Sequence, residues 1–358
     1  MSSEFEMYNR RQMLAGAAAL TIFADDLLAA PPAPSKIVSA TETRRDLTKA
    51  DIDDWMTKLS NWGRWGKDDQ AGTINLITPA KRKQAAALVK DGVSVSMALD
   101  ADIPLEGQEV PAQAPGTRPR FTWEHVMLRD GQNMKTPSGY AVDSYKVTFH
   151  GNNTTHLDAL SHFIFEGHIY NGFAADTITK WGATKNDVMP FKDGFLTRGI
   201  LVDMPLLKGV PYMGDDEAIF PEDLEAWEKK SRLKIGSGDA VLIRTGRWAR
   251  VKEKGDLDLN VKAPGLYATC GKWLKDRDIA ILGSDVVQDV RPSRVEGVNQ
   301  PIHQMFLVAV GTPLIDNCNL ERTSQAAAER HRWEFMFSVA PLRVPGGTGS
   351  PFNPIATF

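Results

Sequence analysis

Phe149-His150-Gly151-Asn152-Asn153-Thr154-Thr155-His156-Leu157-Asp158-Ala159-Leu160-Ser161-His162-Phe163 holds three of the seven histidines in this 358-residue chain. Its centre is His156-x-Asp158-x-x-x-His162, two imidazoles about one carboxylate. On an extended strand, residues i and i+2 face the same side. His156 and Asp158 can therefore chelate one ion from a single segment. If the chain then turns helical, Asp158 and His162 become i, i+4 neighbours on one face. A strand running into a helix would deliver all three groups to one point. Mixed nitrogen and oxygen donors suit Zn²⁺, Mn²⁺ or Fe²⁺. His150 joins them only if the chain bends at Gly151-Asn152-Asn153, because a straight strand would hold it about 20 Å from His156. Four of the seven histidines fall within 150–168, a density that favours a metal or acid/base site over scattered structural histidines. Such a site needs neutral imidazoles, so ion binding weakens as pH drops through the histidine range.

Outward from this stretch, strands are expected over 93–99, 121–129, 140–149, 195–204, 239–245, 279–285 and 334–341, from their alternating or continuously apolar runs. Helices are expected over 51–59, with Thr48 as N-cap, over 79–90, with Pro79 at its first position, and over 221–230 and 266–276. The apolar run 303–310 reads as helix and the tail 346–358 as irregular coil. Strands and helices interleave without a strict βαβ repeat, which gives a mixed α/β fold. There is no G-x-G-x-x-G after a strand, no P-loop and no G-x-S-x-G elbow, so nothing points to nucleotide or serine-nucleophile chemistry.

The composition is that of an ordinary globule, 42% apolar and 24% charged with a net charge of −3. That charge gives no reason to expect nucleic acid as a partner. The two cysteines, Cys270 and Cys318, read as buried free thiols. Asn9-Arg10-Arg11-Gln12-Met13-Leu14 precedes an apolar run to Ala24, and Pro31-Pro32-Ala33-Pro34 follows. The pattern is that of a twin-arginine export signal over 1–35, with a periplasmic destination and no permanent membrane anchor. The loop 61–75 places Trp62 and Trp65 among glycines. With Phe163 they either wall a pocket for a flat apolar substrate or pin a surface loop to the core. Asp285, at a strand tip, reads as a cap.

Thr155-His156-Leu157-Asp158-Ala159-Leu160-Ser161-His162-Phe163 resembles the central motif of the metal-dependent cyclase family, which includes bacterial kynurenine formamidases and isatin hydrolases. The usual pattern there is H-x-G-T-H-x-D-x-P-x-H. Supporting stretches are 62–75, Ile281-Leu282-Gly283-Ser284-Asp285, Pro301-Ile302-His303 and Ile315-Asp316-Asn317, so the resemblance runs from about Trp62 to Glu321. It implies a swivelling β/β/α-type α/β fold, with one catalytic domain over 36–358. It also implies His156 and Asp158 as metal ligands, and His162 as a second-ion ligand, an acid/base group, or both. His303 resembles the family's late histidine, and Asp316 stands where Glu or Gln is usual. The motif's first histidine falls on Asn152 and its proline on Leu160. The shell is then completed either by the Asn152 amide oxygen or by His150.

The reaction implied is hydrolysis of an amide, lactam or ester bond in a small, often aromatic molecule. A divalent ion, Zn or Mn, acidifies water, and His162 or His303 carries the proton. A homodimer or homotetramer is implied on the same ground. Two other readings stand beside it: a lyase or dehydratase using the same ion, and a periplasmic metal- or small-molecule-binding protein in which catalysis has been lost.

Overall fold

The structure is a computed structural model, and it describes residues 45–103, 122–132 and 137–358. The signal-like segment 1–35 lies outside the described residues. The sheet at the centre has nine strands, numbered here along the chain: β1 Ser94–Ser96, β2 His156–Asp158, β3 Phe195–Asp203, β4 Ala240–Arg244, β5 Ile281–Ser284, β6 Leu314–Asp316, β7 Glu334–Val339, β8 Gly349–Pro351 and β9 Ile355–Thr357. Their spatial order is β1-β9-β7-β3-β4-β5-β6-β2-β8. The four middle strands, β3-β4-β5-β6, run parallel; every other pairing is antiparallel. The fold is mixed α/β.

The parallel centre follows from composition. Ile200-Leu201-Val202, Ala240-Val241-Leu242-Ile243 and Ile281-Leu282 are continuous apolar runs, fully buried, as a strand covered on both faces requires. Each run ends in polar residues at its C-terminal end, where Asp203, Arg244, Asp285 and Asp316 gather. The Arg244 guanidinium donates to Asp203 at 2.9 Å and to Glu321 at 2.7 Å. The Asp285 carboxylate accepts from the backbone N–H groups of Thr245, Gly246 and Arg247. It thereby caps the helix Arg247–Lys254, the capping role its strand-tip position suggested.

Elsewhere the local signals act as written in the sequence. Thr48 forms a capping box with Asp51 at the start of the helix Lys49–Lys58. Thr78 caps Pro79–Ala86, which stops short of residue 90. Cys270 and Cys318 are buried free thiols.

Several elements differ from expectation. The helix expected over 266–276 begins only at Thr269, because Gly265–Leu266 pairs as a short strand with Ala218–Ile219. The run after His303 is a π-helix, Gln304–Val310, buried throughout. The tail is not coil. Its last residues form β8 and β9, and β9 bridges β1 to β7. Short strands with few apolar positions carry little periodic signal, and β8 and β9 are three residues each. Phe358 ends the chain fully buried, its carbonyl accepting from Asp91 and Gly92 and its N–H donating to Val93. Phe358→Ala is therefore expected to cost about 3 kcal/mol or more, read as a lower urea midpoint at unchanged slope. A coil tail would show almost no change.

Candidate metal centre

Strand register assembles the first part of the site. β2 lies between β6 and β8, and His156 stands directly opposite Asp316 on β6. Cross-strand partners share a face, and Asp158 shares it by the two-residue period. Leu157 and Ile315 point the other way, into the core. Asp316 is thus placed beside His156 by the ladder itself. The His156 Nδ1–H donates to the Thr154 carbonyl at 2.8 Å, which leaves Nε2 facing Asp158, 3.5 Å from its Oδ1.

His150 arrives by a bend. Residues 150–154 are a run of bends rather than a strand, and the His150 and His156 rings are 5.3 Å apart between centroids. Two side chains missed in the sequence reading hold that bend. The buried Arg247 guanidinium donates to the Asn152 carbonyl at 2.8 Å and to the Asn317 side-chain oxygen at 2.7 Å. The Asn317 amide donates to Gly151 and Thr154 carbonyls at 2.6 and 3.1 Å. His150 Nδ1 then lies 3.0 Å from Asp158 Oδ1, and its Nε2 lies 3.1 Å from the Thr348 hydroxyl. Asn152 enters this arrangement through its backbone carbonyl.

His162 is delivered by a turn, not by the expected helix. The His162 N–H donates to the Ala159 carbonyl at 2.9 Å, and Nε2 comes back to 3.7 Å from Asp158 Oδ1. Its ring stacks on His150 at 4.0 Å. His303 comes from the far end of the chain, on the short helix Pro301–His303. Asp289 accepts the backbone N–H groups of Ile302 and His303 and, at 2.5 Å, the His303 Nδ1–H. This leaves His303 Nε2 facing Asp158 and Asp316, at 3.9 and 3.7 Å.

Six of the sequence-nominated side chains thus converge: His150, His156, Asp158, His162, His303 and Asp316. Donor atoms of two overlapping trios lie within 4.8 Å of one another, His150–Asp158–His162 and His156–Asp158–Asp316. The residues fit a divalent ion on a specific ground. Asp158 Oδ1 and His150 Nδ1 are buried and have no hydrogen-bond partner, although they are only 3.0 Å apart. Two buried polar atoms this close without an aligned hydrogen bond can serve as co-ligands, and the imidazole–carboxylate set suits Zn²⁺ or Mn²⁺.

The electrostatics agree. Burial opposes charge on Asp158, but His162, His150 and His156 outweigh it and hold the carboxyl well below the usual range. Burial pushes His162 down to about 4, helped by the neighbouring imidazoles against the pull of Asp158. Burial also opposes charge on His303, yet Asp289 and Asp316 raise it to about 10.

Of the aromatic residues nominated from the sequence, Phe163 reaches the site, with its ring 6.2 Å from that of His303; Phe149 lies closer, 4.4 Å from the His150 ring. Trp62 packs instead beside Gly172 and His168, with Nε1 donating to the Val308 carbonyl at 2.7 Å. Trp65 lies under the Arg64 guanidinium, which is itself paired with Asp278. The Trp62 contacts tie its loop to the core, and the Trp65 contact lies within the loop.

With this geometry in view, the comparisons are decisive for family. The Cyclase family model matches residues 93–288, more than half of the chain. A solved structure described as a novel cyclase is 31% identical over 85% of this chain and 99% of its own, with a TM-score of 0.72. The chain belongs to the Cyclase family. Its fold also resembles isatin hydrolase A from Ralstonia solanacearum, 19% identical over 78% of this chain and 97% of that one, at a TM-score of 0.52. Isatin hydrolase A from Labrenzia aggregata is similar at 18% identity, 77% and 99% coverage and a TM-score of 0.53. No curated protein matches the chain.

Two outcomes follow for ion binding by this cyclase-family chain. His150→Ala should weaken Zn²⁺ or Mn²⁺ affinity about tenfold or more, whereas Asn152→Ala should leave it nearly unchanged. Chelator competition on the two variants reads both. His303 rises from an ordinary 6.5 to about 10 in the folded, ion-free chain. Its stabilising contribution is therefore full below about 6.5 and is lost as pH rises through about 10. Ligation needs Nε2 unprotonated, so ion affinity should increase with pH over that same window. Urea denaturation of the ion-free chain and ion titration, each run across pH, should slope in opposite directions.

Proposed function

We propose that this cyclase-family protein is a metal-dependent hydrolase that cleaves an amide, lactam or ester bond in a small cyclic or N-acyl substrate. The observation that supports it most is the buried, unpartnered pair Asp158 Oδ1 and His150 Nδ1, in the middle of four imidazoles and two carboxylates. A divalent ion at such a site acidifies water to near neutrality and polarises a carbonyl.

The chain's own residues supply the rest. His150, His156, Asp158, His303 and Asp316 are the holding groups. Thr154, Asp289 and Thr348 orient the imidazoles from behind, which fixes which nitrogen faces inward. His162 is the most exposed imidazole of the cluster, with about a third of its side chain open. With its pKa near 4 it is neutral at physiological pH and offers a lone pair to take a proton from water and return it to the leaving group. Phe163 gives the site an apolar side next to His303, which favours a substrate with a flat ring.

The test is a panel of N-formyl amides, lactams and lactones offered to protein loaded with Zn²⁺ or Mn²⁺, with lactams first because isatin hydrolases share the fold. The expected product carries one added water, and His162→Ala lowers turnover by about 10²–10⁴. A product that has lost water, or full turnover in the His162 variant, would refute the proposal.

A further inference from the structure

The three-residue turn that carries Asp289 touches two of the ligand groups at once, His303 through Asp289 and Asp316 through Gln288, which has no role above. Val287-Gln288-Asp289 is closed by the Asp289 N–H donating to the Val287 carbonyl at 2.5 Å. Gln288 sits at φ +52°, in the left-handed region that side-chain-bearing residues seldom occupy. The turn is held there from outside, where the Leu266 N–H donates to the Gln288 carbonyl at 2.8 Å and the Val290 N–H to the Leu266 carbonyl at 3.1 Å.

The strained backbone sends two adjacent side chains to two different ligands. Gln288, 1% exposed, donates through Nε2 to the Ile315 carbonyl at 2.7 Å and to Asp316 Oδ1 at 3.1 Å. Both partners are acceptors only, so the amide cannot be flipped without setting oxygen against oxygen. Asp316 Oδ1 is thereby occupied, and Oδ2 is the oxygen left 3.7 Å from His303 Nε2. Asp289 meanwhile fixes the His303 ring through Nδ1. With φ relaxed to a negative value, both side chains could not keep these directions.

We infer that the Val287-Gln288-Asp289 turn is the positioning device for the Asp316–His303 half of the centre, and that Gln288 is a positioning residue for ion binding through Asp316. The inference rests on the reading of this cluster as a metal centre. Groups behind a ligand commonly matter tenfold to a hundredfold in metal affinity, and Gln288 holds that place for Asp316.

Gln288→Gly is the discriminating variant, because glycine accepts positive φ freely while losing the amide. Gln288→Asn is the second, because asparagine tolerates this backbone region but is one methylene shorter. Zn²⁺ and Mn²⁺ affinity and stoichiometry are measured on the full ion-free chain by chelator competition, with urea denaturation of the same ion-free samples. Both variants should bind at least one ion about 10- to 100-fold more weakly, with ion-free stability retained in Gln288→Gly. Wild-type affinity in both variants overturns the inference. So does an affinity loss that merely parallels a loss of ion-free stability, since that marks the turn as a fold element alone. Wild-type protein that takes up no ion overturns the metal-centre reading, and this inference with it.

Discussion

Asp158 is a carboxylate with a side chain 2% exposed, and the site is arranged around the cost of keeping it charged there. An ionised carboxylate loses several kcal/mol on leaving water unless opposite charge or hydrogen bonds replace its hydration. Backbone donors could have done so, as they do for Asp285. Instead Oδ1 faces three imidazoles and Oδ2 a fourth, and Oδ1 has no hydrogen bond at all. The His150, His156 and His162 nitrogens lie 3.0, 3.5 and 3.7 Å from Oδ1 without an aligned hydrogen bond to it. Both nitrogen and oxygen donors are reconciled by a cation at the point where they converge.

The rest of the fold can be understood as support for that point. Parallel strands end where their loops begin, and ligands in such sheets collect at the carboxyl ends. Here β4 ends in the turn that carries Arg247, β5 in the segment that carries Asp285, Gln288 and Asp289, and β6 in Asp316 and Asn317. Asp285 caps the Arg247 helix, Arg247 and Asn317 clamp the bend after His150, and Gln288 and Asp289 hold Asp316 and His303. The His150 bend, Asp316 and His303 are therefore backed by buried polar groups from neighbouring strand ends. The antiparallel insertion of β2 next to β6 is what turns His156 and Asp158 toward those ends.

What could be seen in the sequence follows the range of each signal. The pair His156 and Asp158 is local, since two residues of strand suffice, and the clustering of histidines exposes His150 and His162. The continuous apolar runs of β3, β4 and β5 mark a buried parallel centre. The delivery of His162 was anticipated as helical because i, i+4 spacing has that meaning, but a single turn from Ala159 closes the same distance. Asp289, Gln288 and Arg247 carried no motif, and Asn317 stood only as the neighbour of Asp316 in a supporting stretch. Their roles depend on strand order and register, which residue types at separations of tens of positions do not reveal. The one available signal was the crowding of polar residues just after apolar strands, at 244–247, 285–289 and 316–317. β8 and β9 were missed for a different reason: three-residue strands that pair at a sheet edge need little hydrophobic periodicity.

The absence of histidine at position 152 looks damaging only if the chain is imagined as extended there. Three backbone carbonyls of the bend, those of Gly151, Asn152 and Thr154, are taken up by Arg247 and Asn317. That bend brings His150 into contact with Asp158 from six positions before His156. The bend thus supplies an imidazole beside Asp158 from position 150, and the buried Arg247 helps hold its shape. The two sides of the cluster then differ in kind. His156, His303 and Asp316 are almost fully buried and tethered by strand register or by Asp289, whereas His150 and His162 stack on one another with about a quarter to a third of their side chains exposed. Rigid inner donors suit holding a charge in place. Partly open outer donors suit exchange with water, and the stacked rings are the side of the cluster that reaches solvent.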